Sequence, residues 1–85
     1  MKIIWSEKSW NDYLYWQSTD KKMLKKVNQL IKDIQRNPFE GIGKPEPLKY
    51  QFNGFWSRRI SDEHRLVYEI SENSIAIASC RFHYS

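Results

Sequence analysis

Eighty-five residues, 40% of them apolar, suffice for one domain around a single core. The lone Cys80 excludes an internal disulfide and a cysteine-rich zinc site, and no run nears the ~20 apolar residues of a membrane span. The formal charge of +4 is unevenly placed: residues 1–36 carry 8 basic and 4 acidic groups, whereas residues 37–85 carry 6 of each.

Residues 2–5, Lys-Ile-Ile-Trp, are β-branched and aromatic and predict an opening strand. That start lacks the layout of a signal peptide, so the chain is expected in the cytosol. Ser6 is placed to cap a first helix that ends near Ser18, with Trp10, Tyr13 and Leu14 forming an apolar stripe and Tyr15 and Trp16 widening it. Thr19 or Asp20 can cap a second helix. Met23, Leu24, Val27, Leu30, Ile31 and Ile34 give it the clearest 3.6-residue period in the chain, and lysines 21, 22, 25, 26 and 32 fill its other faces.

Asn37-Pro38 stops that helix and opens a Gly/Pro-rich connection over 37–47. The period then changes to two. Leu48, Tyr50 and Phe52 alternate with Lys49 and Gln51, and Asn53-Gly54 predicts a hairpin turn. Strands are expected over 55–60, 65–70 and 74–82, with turns at 61–63 and 72–73. Ala76, Ala78, Cys80 and Phe82 share one face of the last strand; Cys80 reads as core. The order β-α-α-β-β-β-β defines one α+β domain over 1–85. Two helices pack on a twisted, mostly antiparallel sheet of four or five strands.

Three ionisable residues stand where a bland domain does not need them. Glu46 lies between two prolines at a strand entrance, Arg65 opens a central strand, and His83 follows the last strand beside Tyr84. RNA cleavage without a metal needs a base for the 2′-hydroxyl, a cation for the pentavalent phosphate and an acid for the leaving 5′-oxygen. Glu46, Arg65 and His83 have those chemistries. Lys49, Arg59 and Arg81 add possible phosphate contacts, and Trp56, Phe82 or Tyr84 could stack on a base. Each also has an ordinary reading: a solvated loop carboxylate, a sheet ion pair, a surface His-Tyr. Strand alternation turns His64 away from Arg65, which makes it structural or peripheral. Two histidines, and a short Asp62-Glu63-His64 run, offer no recognised metal-ligand pattern. Gly41-x-Gly43 is not a phosphate loop.

The ordered set Ile4-Trp5-Ser6, Trp10-x-x-Tyr13-Leu14-Tyr15-Trp16, Pro38-Phe39-Glu40-Gly41-x-Gly43-Lys44-Pro45-Glu46-Pro47-Leu48-Lys49, Gly54-Phe55-Trp56-Ser57-Arg58-Arg59-Ile60, Glu63-His64-Arg65-Leu66-Val67-Tyr68 and Cys80-Arg81-x-His83-Tyr84 resembles the RelE/ParE-like toxin family of bacterial type II toxin–antitoxin modules. The resemblance covers essentially the whole chain. It implies that family's fold and a cofactor-free mRNA endonuclease that cuts message in the A site of the translating ribosome through a 2′,3′-cyclic phosphate. It implies Glu46 as general base, Arg65 as phosphate ligand, His83 as general acid and Tyr84 as a shaper of the site, with Lys49 and Arg59 beside them. Ser85 extends past the family's usual terminal tyrosine. The expected partners are the ribosome, mRNA, a YefM-like antitoxin and a second copy of the chain. Operator DNA would be met only through the antitoxin complex. Two rivals share the same sequence features. One is a ParE-like toxin that binds a topoisomerase. The other is a non-enzymatic RNA- or protein-binding module using the lysine-rich helix.

Overall fold

The computed structural model describes residues 1–82 of the 85. The elements are β1 (Lys2–Trp5), α1 (Glu7–Thr19), α2 (Lys21–Arg36), β2 (Glu46–Pro47), β3 (Trp56–Arg59), β4 (Arg65–Ser71) and β5 (Ser74–Ser79). The strands form one five-stranded sheet in the order β1-β5-β4-β3-β2. Neighbours are antiparallel except for β1, which pairs parallel to β5 with Lys2 opposite Ser74.

Both helix starts follow from capping. The Ser6 hydroxyl accepts the Ser9 N–H at 3.0 Å, which satisfies one of the first-turn donors of α1. Asp20 serves two helices. Its own N–H donates to Trp16 O and closes α1, while its carboxylate accepts from Lys22 and Met23 N–H and opens α2. The 3.6-residue stripe of α2 buries as expected: Val27, Leu30, Ile31 and Ile34 join Trp16, Leu66, Tyr68, Ile75, Ile77 and Cys80 in the core.

The first helix departs from its apolar stripe. Its buried residues are Ser9, Asp12 and Trp16, whereas Trp10 and Leu14 remain exposed. The inward face is polar because the chain after β5 needs hydrogen-bond acceptors and donors there. Asp12 Oδ2 accepts the Cys80 N–H at 3.0 Å, and Trp16 Nε1–H donates to Cys80 O at 2.8 Å. Trp10 instead stacks on Tyr13 and meets Trp5 edge-on at the surface.

Two strand expectations are corrected. The alternating run after Pro47 is not a long strand. One further hydrogen bond, Leu48 N–H to Phe55 O, continues β2, and the chain then tightens into a 3₁₀ turn over Tyr50–Phe52. Tyr50 has φ 58°, a left-handed conformation that ends extended pairing. The last strand stops at Ser79 rather than reaching Phe82. Its register with β4 is broken between Val67 and Tyr68, where Val67 pairs with Ser79 but Tyr68 with Ile77. That irregularity changes the phase of β5. Ile75 and Ile77 point into the core before it and Cys80 after it, so the cysteine is core although Ala76 and Ala78 are only partly buried.

Candidate active site

Strand register decides which candidates share a surface. Trp56 and Arg58 of β3 face the helices: Trp56 packs against the core and Phe39, and Arg58 is fully buried against α2. Ser57 and Arg59 therefore face the other way. Glu46 pairs with Ser57, and Arg59 pairs with Arg65. Glu46, Arg59 and Arg65 thus lie on the one sheet face that the helices leave uncovered. Glu46 and Arg59 are diagonal neighbours there, a spacing of about 7–8 Å between Cα atoms.

The Arg59–Arg65 pair is unusually close for two cations. Arg59 N–H donates to Gly43 O at 2.6 Å, and Arg65 N–H donates to Phe82 O at 3.0 Å. Neither amide is spent on the other strand, so the two residues form a non-hydrogen-bonded pair, the class with Cα atoms only about 4.5 Å apart. Like charges directly opposed on a sheet destabilise it. Among the described residues neither arginine has an ion-pair partner; the three ion pairs are Lys8–Asp12, Arg58–Asp33 and the long His64–Glu63 contact. Arg65 is held instead by carbonyls: one guanidinium nitrogen donates to Ser61, Asp62 and His64 oxygens at 2.7–3.1 Å. That arrangement fixes the head group with neutral acceptors and, among the described residues, no counter-ion.

Lys49 begins the 3₁₀ turn and lines, with Glu46, a surface depression of about 410 Å³ floored by Pro47, Leu48 and Phe52. The loop that delivers Glu46 is bolted to the body by Arg58. Its guanidinium donates to the carbonyls of Asn37, Glu40 and Ile42, to Asp33 Oδ2 at 2.6 Å and, through Nε, to the Tyr68 hydroxyl. Tyr68 in turn donates to Pro38 O at 2.8 Å, and Ile42 N–H donates to Asp33. The Ile42 amide first and the Arg58 guanidinium second hold the Asp33 carboxyl below its usual range. Burial pushes the Tyr68 hydroxyl up. Gly41, at φ 122°, cannot be replaced here, because a Cβ would collide with the Asp33 carboxylate.

Two other candidates are placed apart from this row. Trp56 lies on the opposite face, as above. Arg81 has its guanidinium 3.5 Å from the centre of the Tyr15 ring on α1 and 4.5 Å from that of Phe82. His83 and Tyr84 lie outside the described residues. Position 82, directly before them, is hydrogen-bonded to the Arg65 backbone. His64 is buried, with its ring edge-on to Trp16, and it touches the tail; sequence alternation alone had no means of finding that contact. Arg58 also escaped the sequence reading, since an arginine in a strand gives no sign of being the largest fully buried side chain among the described residues.

The model of the YoeB-like toxins of bacterial type II toxin–antitoxin systems matches residues 5–84. Toxin YoeB of Escherichia coli strain K12 is 67% identical over 84 residues, covering 99% of this chain and 100% of the relative. A YoeB/ParE toxin from Agrobacterium tumefaciens superposes with a TM-score of 0.97 at 51% identity, covering 99% and 100% of the two chains. A chain of the YoeB dimer from Staphylococcus aureus superposes with a TM-score of 0.93, and a chain of the heterotetrameric YoeB–YefM complex from the same organism with a TM-score of 0.92. Both are 54% identical and cover 99% of this chain and 98% of theirs.

Proposed function

The chain belongs to the YoeB-like toxins of bacterial type II toxin–antitoxin systems, and on that premise we propose that it is a ribosome-dependent endoribonuclease cutting mRNA in the A site. The observation that carries this reading is the Arg59–Arg65 pair: two opposed cations with no ion-pair partner among the described residues, on the sheet face away from the helices, with a carboxylate, Glu46, beside them. A phosphodiester relieves that repulsion. As a nucleophile adds to phosphorus, the extra negative charge strengthens both contacts, which is transition-state stabilisation rather than simple binding.

In the proposed reaction Glu46 removes the proton of a ribose 2′-hydroxyl. The 2′-oxygen bonds to the adjacent phosphorus while the bond to the 5′-oxygen breaks, and His83 gives that oxygen its proton. The products are a 2′,3′-cyclic phosphate and a free 5′-hydroxyl. Arg65 and Arg59 hold the phosphoryl oxygens, Lys49 supports the neighbouring phosphate from the Glu46 depression, and Tyr84 shapes the acid's surroundings. Every charge and proton in this scheme is supplied by side chains, so no cofactor enters it.

The S. aureus relative assembles with YefM and also as a dimer. We propose a YefM-like antitoxin and a homodimer for this chain on the same grounds, with operator DNA met through the antitoxin. The deciding experiment programs purified ribosomes with a defined message. The parent protein should cleave within the A-site codon, and His83→Ala should lose at least about 100-fold in rate with ribosome affinity retained. Intact message over stalled ribosomes, with folded parent protein, would overturn the reading.

A further inference from the structure

Beyond β5 the chain leaves the sheet, and every main-chain polar group of Cys80 and Phe82 is captured. Asp12 Oδ2 takes the Cys80 N–H, and Trp16 Nε1–H meets the Cys80 carbonyl. His64 Nδ1 takes the Phe82 N–H at 2.7 Å, and Arg65 N–H meets the Phe82 carbonyl at 3.0 Å. Phe82 needs this grip. Its φ is 64°, a left-handed conformation that strains a non-glycine residue and persists only where surroundings over-determine it. Sequence order places His83 next.

The His64 contact differs in kind from the other three. An imidazole accepts at Nδ1 only when its proton sits on Nε2, here 3.7 Å from Glu63 Oε1. The ring is also locked in orientation, edge-on to Trp16 with centroids 4.8 Å apart, and Trp16 is itself pinned through its indole N–H. A histidine turned away from the open face is therefore joined, through one hydrogen bond, to the strained turn from which the tail departs.

We propose that His64 is a positioning residue for RNA cleavage: by accepting the Phe82 amide it fixes the backbone turn at residue 82, beside Arg65 and directly before His83 in the sequence. The proposal rests on the endoribonuclease reading, in which His83 is the acid. Without the acceptor the Phe82 amide loses its partner, the left-handed turn relaxes and the acid is displaced, so the cost falls on turnover rather than on binding message.

Two substitutions separate this role from simple ring packing. His64→Phe keeps a ring on Trp16 but has no acceptor. His64→Asn loses the ring but puts Oδ1 at the same two-bond distance from Cβ as Nδ1. The expected result, at matched folded fraction, is a loss of about 30–100-fold in kcat for His64→Phe with KM little changed, and a loss under about tenfold for His64→Asn. The order of thermal stability should be the reverse. Activity of His64→Phe equal to or above that of His64→Asn overturns the proposal, because ring packing alone would then account for the histidine. Amide exchange at Phe82, measured on the same three proteins, stands apart from catalysis. Protection should survive in the parent and His64→Asn and be lost in His64→Phe. If the folded parent fails to cut message, the endoribonuclease reading falls; equal Phe82 protection in all three proteins removes the clamp whatever the cleavage result.

Discussion

Cys80 shows how much one position depends on its neighbours. Burial first, and the Asp12 carboxylate second, push its thiol up to about 12, and its Sγ–H leans on Ser9 O. A thiol so far from ionising is inert to thiolate chemistry. Disulfide-exchange reagents at pH 8 should leave the folded protein unlabelled and modify it stoichiometrically in denaturant. Fast labelling of the native protein would mean that the tail opens readily. The sequence placed Cys80 in the core through a face shared with Ala76 and Ala78; the cysteine is buried, but that face is not the reason. That it takes the place of an alternating isoleucine was not legible, because the break of register between Val67 and Tyr68 has no local signature. The same holds for Ser9 and Asp12. Their polarity pointed to solvent, but the amides and carbonyls they answer belong to a segment some seventy residues away. Glu46, Arg59 and Arg65 were readable as chemistry, and Glu46 and Arg65 as strand entrances; only the register put them on one face.

At the scale of elements, the 37–45 connection is what positions Glu46, and it holds its shape through Arg58. Replacing Arg58 by Met would leave three loop carbonyls without their donor and the Asp33 carboxylate with the Ile42 amide but no counter-ion. It should destabilise the domain by about 2–4 kcal/mol, since buried carbonyls lose their donor while the carboxylate left behind is partly exposed. Urea unfolding checks it; a change under about 1 kcal/mol would show that water replaces the guanidinium. The pH dependence has a fixed sign. Asp33 titrates lower folded than unfolded, so its contribution is complete above the ordinary value of 3.8 and is lost as pH falls through the lower folded value. Acid unfolding curves of Asp33→Asn should be flatter than the parent's below about pH 4, with lower stability at neutrality. The helices and the hairpin turns were visible in the sequence because their signals are local: capping side chains, a 3.6-residue period, Asn-Gly. The two-residue β2 and the 3₁₀ turn behind it were not. Alternation of apolar residues records burial on one side, and a tight turn over a depression leaves the same trace as a strand.

Taken whole, the molecule keeps its net positive charge in the helical half and its opposed arginines on the sheet face away from the helices. Lys22, Lys25 and Lys26 border a groove of about 710 Å³ between α2 and Ile60–Ser61. If this surface meets ribosomal RNA, changing the three lysines to Gln should weaken ribosome binding. It should also flatten the salt dependence of the association constant by up to about one logarithmic unit per lysine, while the cleavage rate of bound ribosomes stays near that of the parent. An unchanged salt slope would place docking elsewhere. The sheet has a further consequence, one of timing. β1 is made first, yet among the described residues it pairs only with β5, and β5 also supports the segment that Asp12, Trp16 and His64 grasp. A nascent chain lacking residues 74–82 has an unpaired first strand, an unfilled polar face on α1 and no turn at Phe82. Long-range pairing of this kind is slow and forms late. Synthesis therefore yields the lysine-bearing helix well before the proposed cutting edge exists, so on the endoribonuclease reading a ribosome making this toxin meets no complete site until the last strand has joined the first.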